Sequence, residues 1–390
     1  MPNYFISNFG SDSTGTGTAI NPWKTLDKAV GSGKAVGATL SAPTTVHVEP
    51  GVYREAVNVQ VTPSASAPLL IRGDFDGSAF AAAGKSSPKT GLVEIRAWTD
   101  DATPINQPTL EVGGRSDVTI ERLKITAGSS IYATLAVQEA TRFVIRDCAL
   151  VGNRTVSSRV VNVLLSAAKG LDMLFERCVI AAHSVDSQYA MYISSNRAVD
   201  EYDLGLRIVN CRFDAAFQHV VLDEWNSGSG TKIGRGFTIQ NCSFRHSKST
   251  AVLVQSARTG AGAVVVAGCV FDGCRTGLQG VAAGQIVEDA NVVNADNPRV
   301  NVAAGVASLT NICPAWDFGG PAAGGPARPL MEPSAGSPLL GFMARPAGLS
   351  VDLLGRPRPD PCAAGCLERV DPAPAGPEPS ATTYIFQVEG

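Results

Sequence analysis

The sequence predicts an all-β solenoid, a coil of stacked parallel strands. Three observations carry that reading: a phrase repeated through the middle of the chain, cysteines confined to one slot of it, and an abundance of Gly and Pro. The phrase reads Phe143-Val-Ile-Arg-Asp-Cys148-Ala-Leu150, then Met173-Leu-Phe-Glu-Arg-Cys178-Val-Ile180, Leu206-Arg-Ile-Val-Asn-Cys211-Arg-Phe213, Phe237-Thr-Ile-Gln-Asn-Cys242-Ser-Phe244 and Val264-Val-Val-Ala-Gly-Cys269-Val-Phe271. Val118-Thr-Ile-Glu-Arg-Leu123-Lys-Ile125 is the same phrase with Leu in the Cys slot, and from Leu123 onward the slots fall 25, 30, 33, 31 and 27 residues apart. Each copy is an apolar strand of period two, a polar or Gly corner, and a small residue facing inward. Recurrence at this interval is what one turn of a coil requires, and stacking puts like residues on like residues every ~4.8 Å.

Five of the nine cysteines sit in that slot, where Cys acts as a small hydrophobe in a tight corner rather than as a disulfide partner. Cys274, Cys313, Cys362 and Cys366 lie outside it. The Cys362-x-x-x-Cys366 spacing leaves open a disulfide or half of a metal site, although no second Cys pair or nearby His completes a zinc set.

The chain has 390 residues, 40 Gly, 24 Pro and 17% charged residues. Its length would suit two or three ordinary domains, but a repeat coil needs only neighbouring turns. A net charge of -3 gives no electrostatic case for nucleic acid. No apolar run reaches the ~18 residues of a membrane span. The first residues carry no signal-peptide pattern, so the expected location is extracellular after an earlier processing step, or a virion.

In chain order, residues 1–55 are expected to open and cap the coil. Tyr4-Phe-Ile-Ser7 reads as a strand, and Gly10 to Gly17 as a surface turn without the Lys-Ser/Thr of a phosphate loop. Asn21 suits an N-cap with Pro22 first in a helix whose apolar face is Trp23, Leu26, Ala29 and Val30. Such a helix would cover the exposed edge and cross-section of the first turn. The pattern of an opening strand, Gly-Ser-Asp12, Pro22-Trp-Lys-Thr-Leu26 and Glu49-Pro-Gly-Val-Tyr-Arg-Glu55 resembles the N-terminal module of bacterial and phage right-handed parallel β-helix proteins of the pectate-lyase-like superfamily. With the repeat, the resemblance covers roughly residues 4–300. It implies a single-stranded right-handed parallel β-helix of about ten turns, with an N-terminal capping helix and an irregular C-terminal lid. It says little of activity, since that superfamily holds lyases, hydrolases, epimerases, phage tailspikes and proteins without known catalysis.

Residues 56–312 are expected to form the coil, beginning at Leu69-Leu-Ile71 and continuing with a turn at Leu92–Trp98, while 78–90 bulge off a corner. A second strand follows the first in each later turn: 134–138, 160–165, 190–194, 219–225 and 250–255. These predict a second sheet, and the polar segments between them, variable in length, predict a binding side. The pattern weakens through 286–287 and 292–293. Residues 313–370 contain Gly336-Ser-Pro-Leu-Leu340, Val351-Asp-Leu-Leu-Gly-Arg-Pro-Arg-Pro359 and Gly365-Cys-Leu-Glu368. They resemble the closing segment of the same proteins and predict a cover over the final turn, with Cys366-Leu367 in place of an Ala-Tyr pair. In residues 371–390 a Pro-rich linker leads to Thr383-Tyr-Ile-Phe-Gln-Val388. Tyr384, Ile385, Phe386 and Val388 are the expected assembly residues, docking on this chain's flank or on a second copy.

For chemistry, Asp223 and Glu224 are the adjacent acids on a second-sheet strand, with Trp225 beside them. Stacking predicts Ser194 and Ser195 on one side, Val254 and Gln255 on the other, and Arg197 and Arg258 at the following corner. Trp225, Arg197, Gln255 and Arg258 are the expected glycan contacts, because apolar sugar faces stack on aromatics while hydroxyls take hydrogen bonds; exposed acids on an outer face are equally ordinary solvation. Asp200, Glu201 and Asp203 offer oxygen ligands for Ca²⁺ without the spacing of a calcium loop; no other cofactor is expected. Glu288-Asp289 has no visible partner. His47, His183, His219 and His246 are isolated in sequence, which favours structural roles. The expected function is a non-enzymatic structural or adhesive protein, such as a phage tail, spike or decoration subunit that binds surface polysaccharide and assembles as a homo-oligomer. The alternative is an extracellular polysaccharide lyase or glycoside hydrolase.

Overall fold

The computed structural model describes residues 1–100, 103–128, 133–152, 159–165, 172–182, 189–195, 201–203, 205–224, 233–255, 262–305, 307–312, 316–317, 332–334, 336–346 and 348–368. The chain winds as a parallel coil with three faces per turn. The first face stacks ten strands in chain order: Asn3–Ile6, Thr44–Val48, Leu69–Gly73, Val118–Glu121, Phe143–Arg146, Met173–Glu176, Leu206–Val209, Thr238–Gln240, Val264–Ala267 and Ile286–Asp289. The turns that open at Val118, Phe143, Met173, Leu206, Thr238 and Val264 repeat regularly, so the regular coil has about six turns rather than the ten expected. The outer turns are interrupted by helices Leu26–Val30 and Ser78–Ala82.

Where two sheets were expected there are three faces. The residues just after each Cys slot are strands of their own, Lys124–Thr126, Ala149–Val151, Val179–Ala181, Arg212–Ala216 and Ser243–Ser247, paired in register. Val93–Arg96 joins this second face between Gly51–Arg54 and Lys124–Thr126, so the 92–98 stretch does not open a turn. The strands expected as a second sheet form the third face: Leu135–Gln138, Arg159–Leu165, Tyr189–Ser195, Gln218–Glu224 and Thr250–Val254. Ile286–Asp289 and Val292–Val300 complete a further turn where the pattern weakens.

The corner between the first two faces explains the phrase. The residue before each slot has positive φ: Arg122, Asp147, Arg177, Asn210, Asn241, Gly268 and Ala290 lie between 50° and 64°. Gly, Asn and Asp enter this left-handed region at least cost. The next side chain points inward, and Cys148, Cys178, Cys211, Cys242 and Cys269 are buried free thiols in file. Each thiol donates to a carbonyl of the preceding turn, as from Cys211 to Phe175 at 3.5 Å and Cys242 to Ile208 at 3.6 Å. The backbone N–H groups of Cys211 and Cys242 in turn donate to the Sγ of the next slot, both at 3.4 Å. Asn291 follows the cysteines in the file: its amide donates to the Val266 carbonyl at 2.9 Å and accepts from Cys269 N at 2.8 Å, and its own N–H donates to the Ser308 hydroxyl at 3.0 Å. Burial pushes the Cys148, Cys178 and Cys242 thiols well above their usual range. Cys362 and Cys366 are also free and buried.

Inside, like stacks on like. Leu150, Ile180, Phe213, Phe244, Phe271 and Val293 form one row, with the Phe244 ring parallel to Phe213 at 4.8 Å and to Phe271 at 4.7 Å. His219 packs beside this stack, fully buried, 6.1 Å from Phe213 and 5.8 Å from Phe244. Burial depresses its pKa to about 3. His47, stacked on Phe5 and bonded to Asn3, is lowered to about 4, chiefly by burial. His246 is an exposed corner residue with φ 55°, and His183 lies outside the described residues.

The helix starts later than expected. Thr25 is its N-cap and accepts from Lys28 N, while Trp23 bridges to Ile6 as a strand residue; Trp23, Leu26, Ala29 and Val30 are buried. The Gly-Ser-Asp phrase serves this join: Asp12 accepts from the backbone N–H of Lys24 and Thr25 and from the Thr25 hydroxyl. Glu55 accepts from Leu26 N and Asp27 N, each at 2.9 Å, and burial raises its carboxyl to about 7. A Cβ on Gly10 would lie 2.4 Å from the Trp23 carbonyl, so only Gly fits that approach. At the other end Glu288, expected to lack partners, is buried and bonded to Arg299 at 2.5 Å, Asn291 at 2.7 Å and Gly305 N at 2.8 Å.

Of the predicted closing segment, 313–370, the described residues 336–346 and 348–368 do not lie over the cross-section of the final turn. They lie lengthwise along the second face, on the outward residues Val179, Ser243, Val270 and Val292. That is why these outward side chains are buried.

Two outcomes test this packing. Phe244→Ala should cost about 3–5 kcal/mol in denaturant unfolding, and Thr238→Ala, on the outward face, no more than about 0.5. Because His219 titrates lower folded than unfolded, acid favours the unfolded chain. Its share of stability is present above pH ~6.5 and is lost as pH falls toward about 3. Thermal midpoints of His219→Leu should therefore fall less between pH 7 and 4 than those of the unmodified chain.

Candidate functional site

The predicted acids lie on the outer surface of the third face. Ser194 pairs with Asp223 and Ser195 with Glu224, as stacking predicts. On the other side the register is one residue off the expectation. Leu222 pairs with Val254, and Gln255, exposed, donates its N–H to the Leu222 carbonyl. Gln255 is therefore the residue beside Asp223. Glu224 ends its strand, and its side chain is outside the description. Trp225, Arg197, Arg258 and Asp200 lie outside the described residues, as do Tyr384, Ile385, Phe386 and Val388. Glu201 and Asp203 belong to a short strand, Glu201–Asp203, paired with Ile233–Arg235. Among the described residues no group of three or more His, Cys, Asp or Glu is placed to hold a metal ion.

Asp223 has a partner that direct lateral pairing does not give. The Tyr192 hydroxyl donates to the Asp223 carboxylate from the preceding turn. Tyr192 pairs laterally with Val221, so it meets Asp223 along the diagonal, a separation of ~7–8 Å that long side chains span. The Arg159 guanidinium, one turn further back, lies 3.9 Å from the centre of the Tyr192 ring and donates to Asn162 at 3.1 Å. Tyr189 sits 5.4 Å from Tyr192 and meets Phe217 edge-on at 6.5 Å. Burial, and then the bond to Asp223, raise the Tyr192 hydroxyl above the usual phenol range. The phenol thus stays neutral and keeps its proton toward the carboxylate.

The surface consequently presents three aromatic rings, one guanidinium, an amide and a carboxylate from three consecutive turns. All six are partly exposed, while Val161 and Val163, on either side of Asn162, point inward. Further along, at the corner between the second and third faces, a cleft of about 550 Å³ is lined by Ser247, Lys248, Gly273, Cys274, Arg275, Asn294, Ala295 and Asp296. Rings with hydroxyl, amide and charged neighbours suit a ligand with apolar faces and polar edges. Sequence reasoning missed Tyr189, Tyr192, Phe217 and Arg159. The signal was there in the diagonal offset between adjacent turns.

No family model and no curated protein matches the chain. Among solved structures, pectate lyase Pel9A superposes with a TM-score of 0.51 at 14% identity, covering 95% of this chain and 97% of that one. A GH136 lacto-N-biosidase from Eubacterium ramulus (TM-score 0.44, 9% identity, 79% of this chain and 55% of that one) and a rhamnogalacturonan lyase (0.42, 11%, 80% and 87%) are more distant. The chain is therefore a right-handed parallel β-helix protein, and its resemblance to the pectate-lyase-like superfamily holds at the level of the fold.

Proposed function

We propose that the chain is an adhesive β-helix that holds an extended polysaccharide against its third face, on an extracellular or virion surface. The observation that supports this most directly is the cluster of Tyr189, Tyr192 and Phe217 beside Arg159, Asn162 and Asp223. Rings take the apolar faces of sugars, and the amide and carboxylate take hydroxyls. Subsites that repeat at strand spacing, ~4.8 Å, suit a ligand that is itself a repeat. Trp225, Arg197, Gln255 and Arg258 extend the proposed contact set, and residues 383–388 are the proposed contact between copies in a homo-oligomer.

A second reading, cleavage of the bound glycan, is favoured by one observation: the Tyr192–Asp223 hydrogen bond gives a carboxylate a proton-bearing partner on the same surface. A lyase or glycosidase would need a further acid, base or cation from the loops beside this face.

The two readings separate in one assay. On a polysaccharide panel with affinity electrophoresis, Tyr192→Ala and Tyr189→Ala should each weaken binding about tenfold, or ~1.4 kcal/mol, and the polymer should be recovered at full length. Oligosaccharide release that disappears in Asp223→Asn would instead establish the enzyme.

A further inference from the structure

The closing segment packs on the coil without entering its core. The main interior cluster runs from Ile6 to Val302 and includes no residue of 336–368. The segment's apolar residues form two small clusters on outward side chains. Leu353, Cys366 and Leu367 rest on Val179; Leu339 and Ala364 rest on Val270 and Val292. The turns beneath are complete without it.

Its polar contacts divide unevenly between coil and segment. Arg358 is buried and donates to the Val351, Ala363 and Gly365 carbonyls and to Glu368, at 2.5–3.3 Å. Asp352 accepts from Leu354 N, Arg356 N and Glu368 N, and bonds the Arg356 guanidinium. These bonds tie 351–368 into one piece. Toward the coil, Gly365 N donates to the Gly268 carbonyl at 2.7 Å and Cys366 N to the Ser243 hydroxyl at 3.1 Å. Asn210 adds two more, donating to the Val351 carbonyl at 2.9 Å and accepting from Arg358 at 3.1 Å. The surface under the segment is incompletely satisfied. Among the described residues, the Asn241 amide, next along the corner from Asn210, is buried with neither its nitrogen nor its oxygen bonded, and Arg212 Nε is also unbonded. Buried polar groups left without partners weaken the closed state relative to an open, hydrated one.

We propose that segment 336–368 is a strap that opens as one unit while the coil beneath it stays closed, with Asn210 as its catch. The internal bonds of Arg358 and Asp352 hold the strap in shape as it lifts. Among the described residues, opening breaks four hydrogen bonds to the coil, fewer than tie the strap to itself, which is the condition for a local unit of low stability. It bares the row Val179, Val270 and Val292 and hydrates Asn241.

The cysteines supply the readout, because Cys366 is on the strap's underside, buried against the coil, and the five file thiols lie inside the coil. Native protein is exposed to a thiol-alkylating reagent and sampled over time by peptide mass spectrometry. Cys366 should be modified at least tenfold faster than Cys148, Cys178, Cys211, Cys242 and Cys269. Asn210→Gly keeps the corner's backbone conformation and removes the catch; it should speed Cys366 about tenfold and leave the file thiols unchanged. Arg358→Met should label Cys366 at once with the file thiols still protected. Modification of strap and file thiols together, or no change of their ratio in Asn210→Gly, would overturn the proposal.

Discussion

The coil depends on one repeated event, the left-handed corner that ends each first-face strand and drops a small side chain inward. A strand that turns there leaves the backbone N–H of the next residue without a place in either sheet. The slot residue of the following turn answers it from above, through a thiol, then the Asn291 carboxamide, then the Ser308 hydroxyl. Cys is small enough for the corner and polar enough, weakly, to accept one bond and give another. The file is therefore a packing device and a hydrogen-bonding device at once. Asn291 makes the same two bonds at shorter distances, and its own backbone N–H donates to the Ser308 hydroxyl at 3.0 Å in the slot before Leu309–Thr310.

From that corner the rest of the architecture follows. Because every turn repeats it, residues from distant parts of the sequence arrive side by side at strand spacing, and Arg159, Tyr192 and Asp223 meet on one surface without sharing a loop. The ends need separate treatment, since each would expose apolar side chains and unpaired backbone. At the first turn, Asp12 and Glu55 fix a short helix over the opening; at the last, the first-face interior row ends on Glu288, whose bonds to Arg299, Asn291 and Gly305 close the coil with a polar plug. The strap along the second face is an addition to a coil already closed.

The sequence showed those features that repeat. The Cys phrase, the third-face strands and the lateral pairs Ser194–Asp223 and Ser195–Glu224 could be read because stacking copies one turn's pattern onto the next. The second face escaped notice because its strands, such as Ala149–Val151 and Val179–Ala181, are too short to show alternation. The strap's true position was hidden because nothing in 336–368 names its partner, and the outward Val179, Val270 and Val292 read as ordinary strand residues. Tyr192 was not legible because it reaches Asp223 diagonally, while its direct lateral partner is Val221. The helix start moved from Asn21 to Thr25 because tertiary pairing of Trp23 with Ile6 overrode a good local capping signal.

The central claim is that equivalent residues climb the axis by one strand spacing per turn. Thr119, Val144, Leu174, Arg207, Thr238, Val265 and Val287 occupy one outward row of the first face, each paired with the next. Pulsed electron-electron resonance between nitroxides at Thr119 and Val287 should give a backbone separation of ~29 Å, shortening by ~5 Å for each turn as the second label moves to Val265 and then Thr238. Distances that do not step with turn number would contradict the stacked coil.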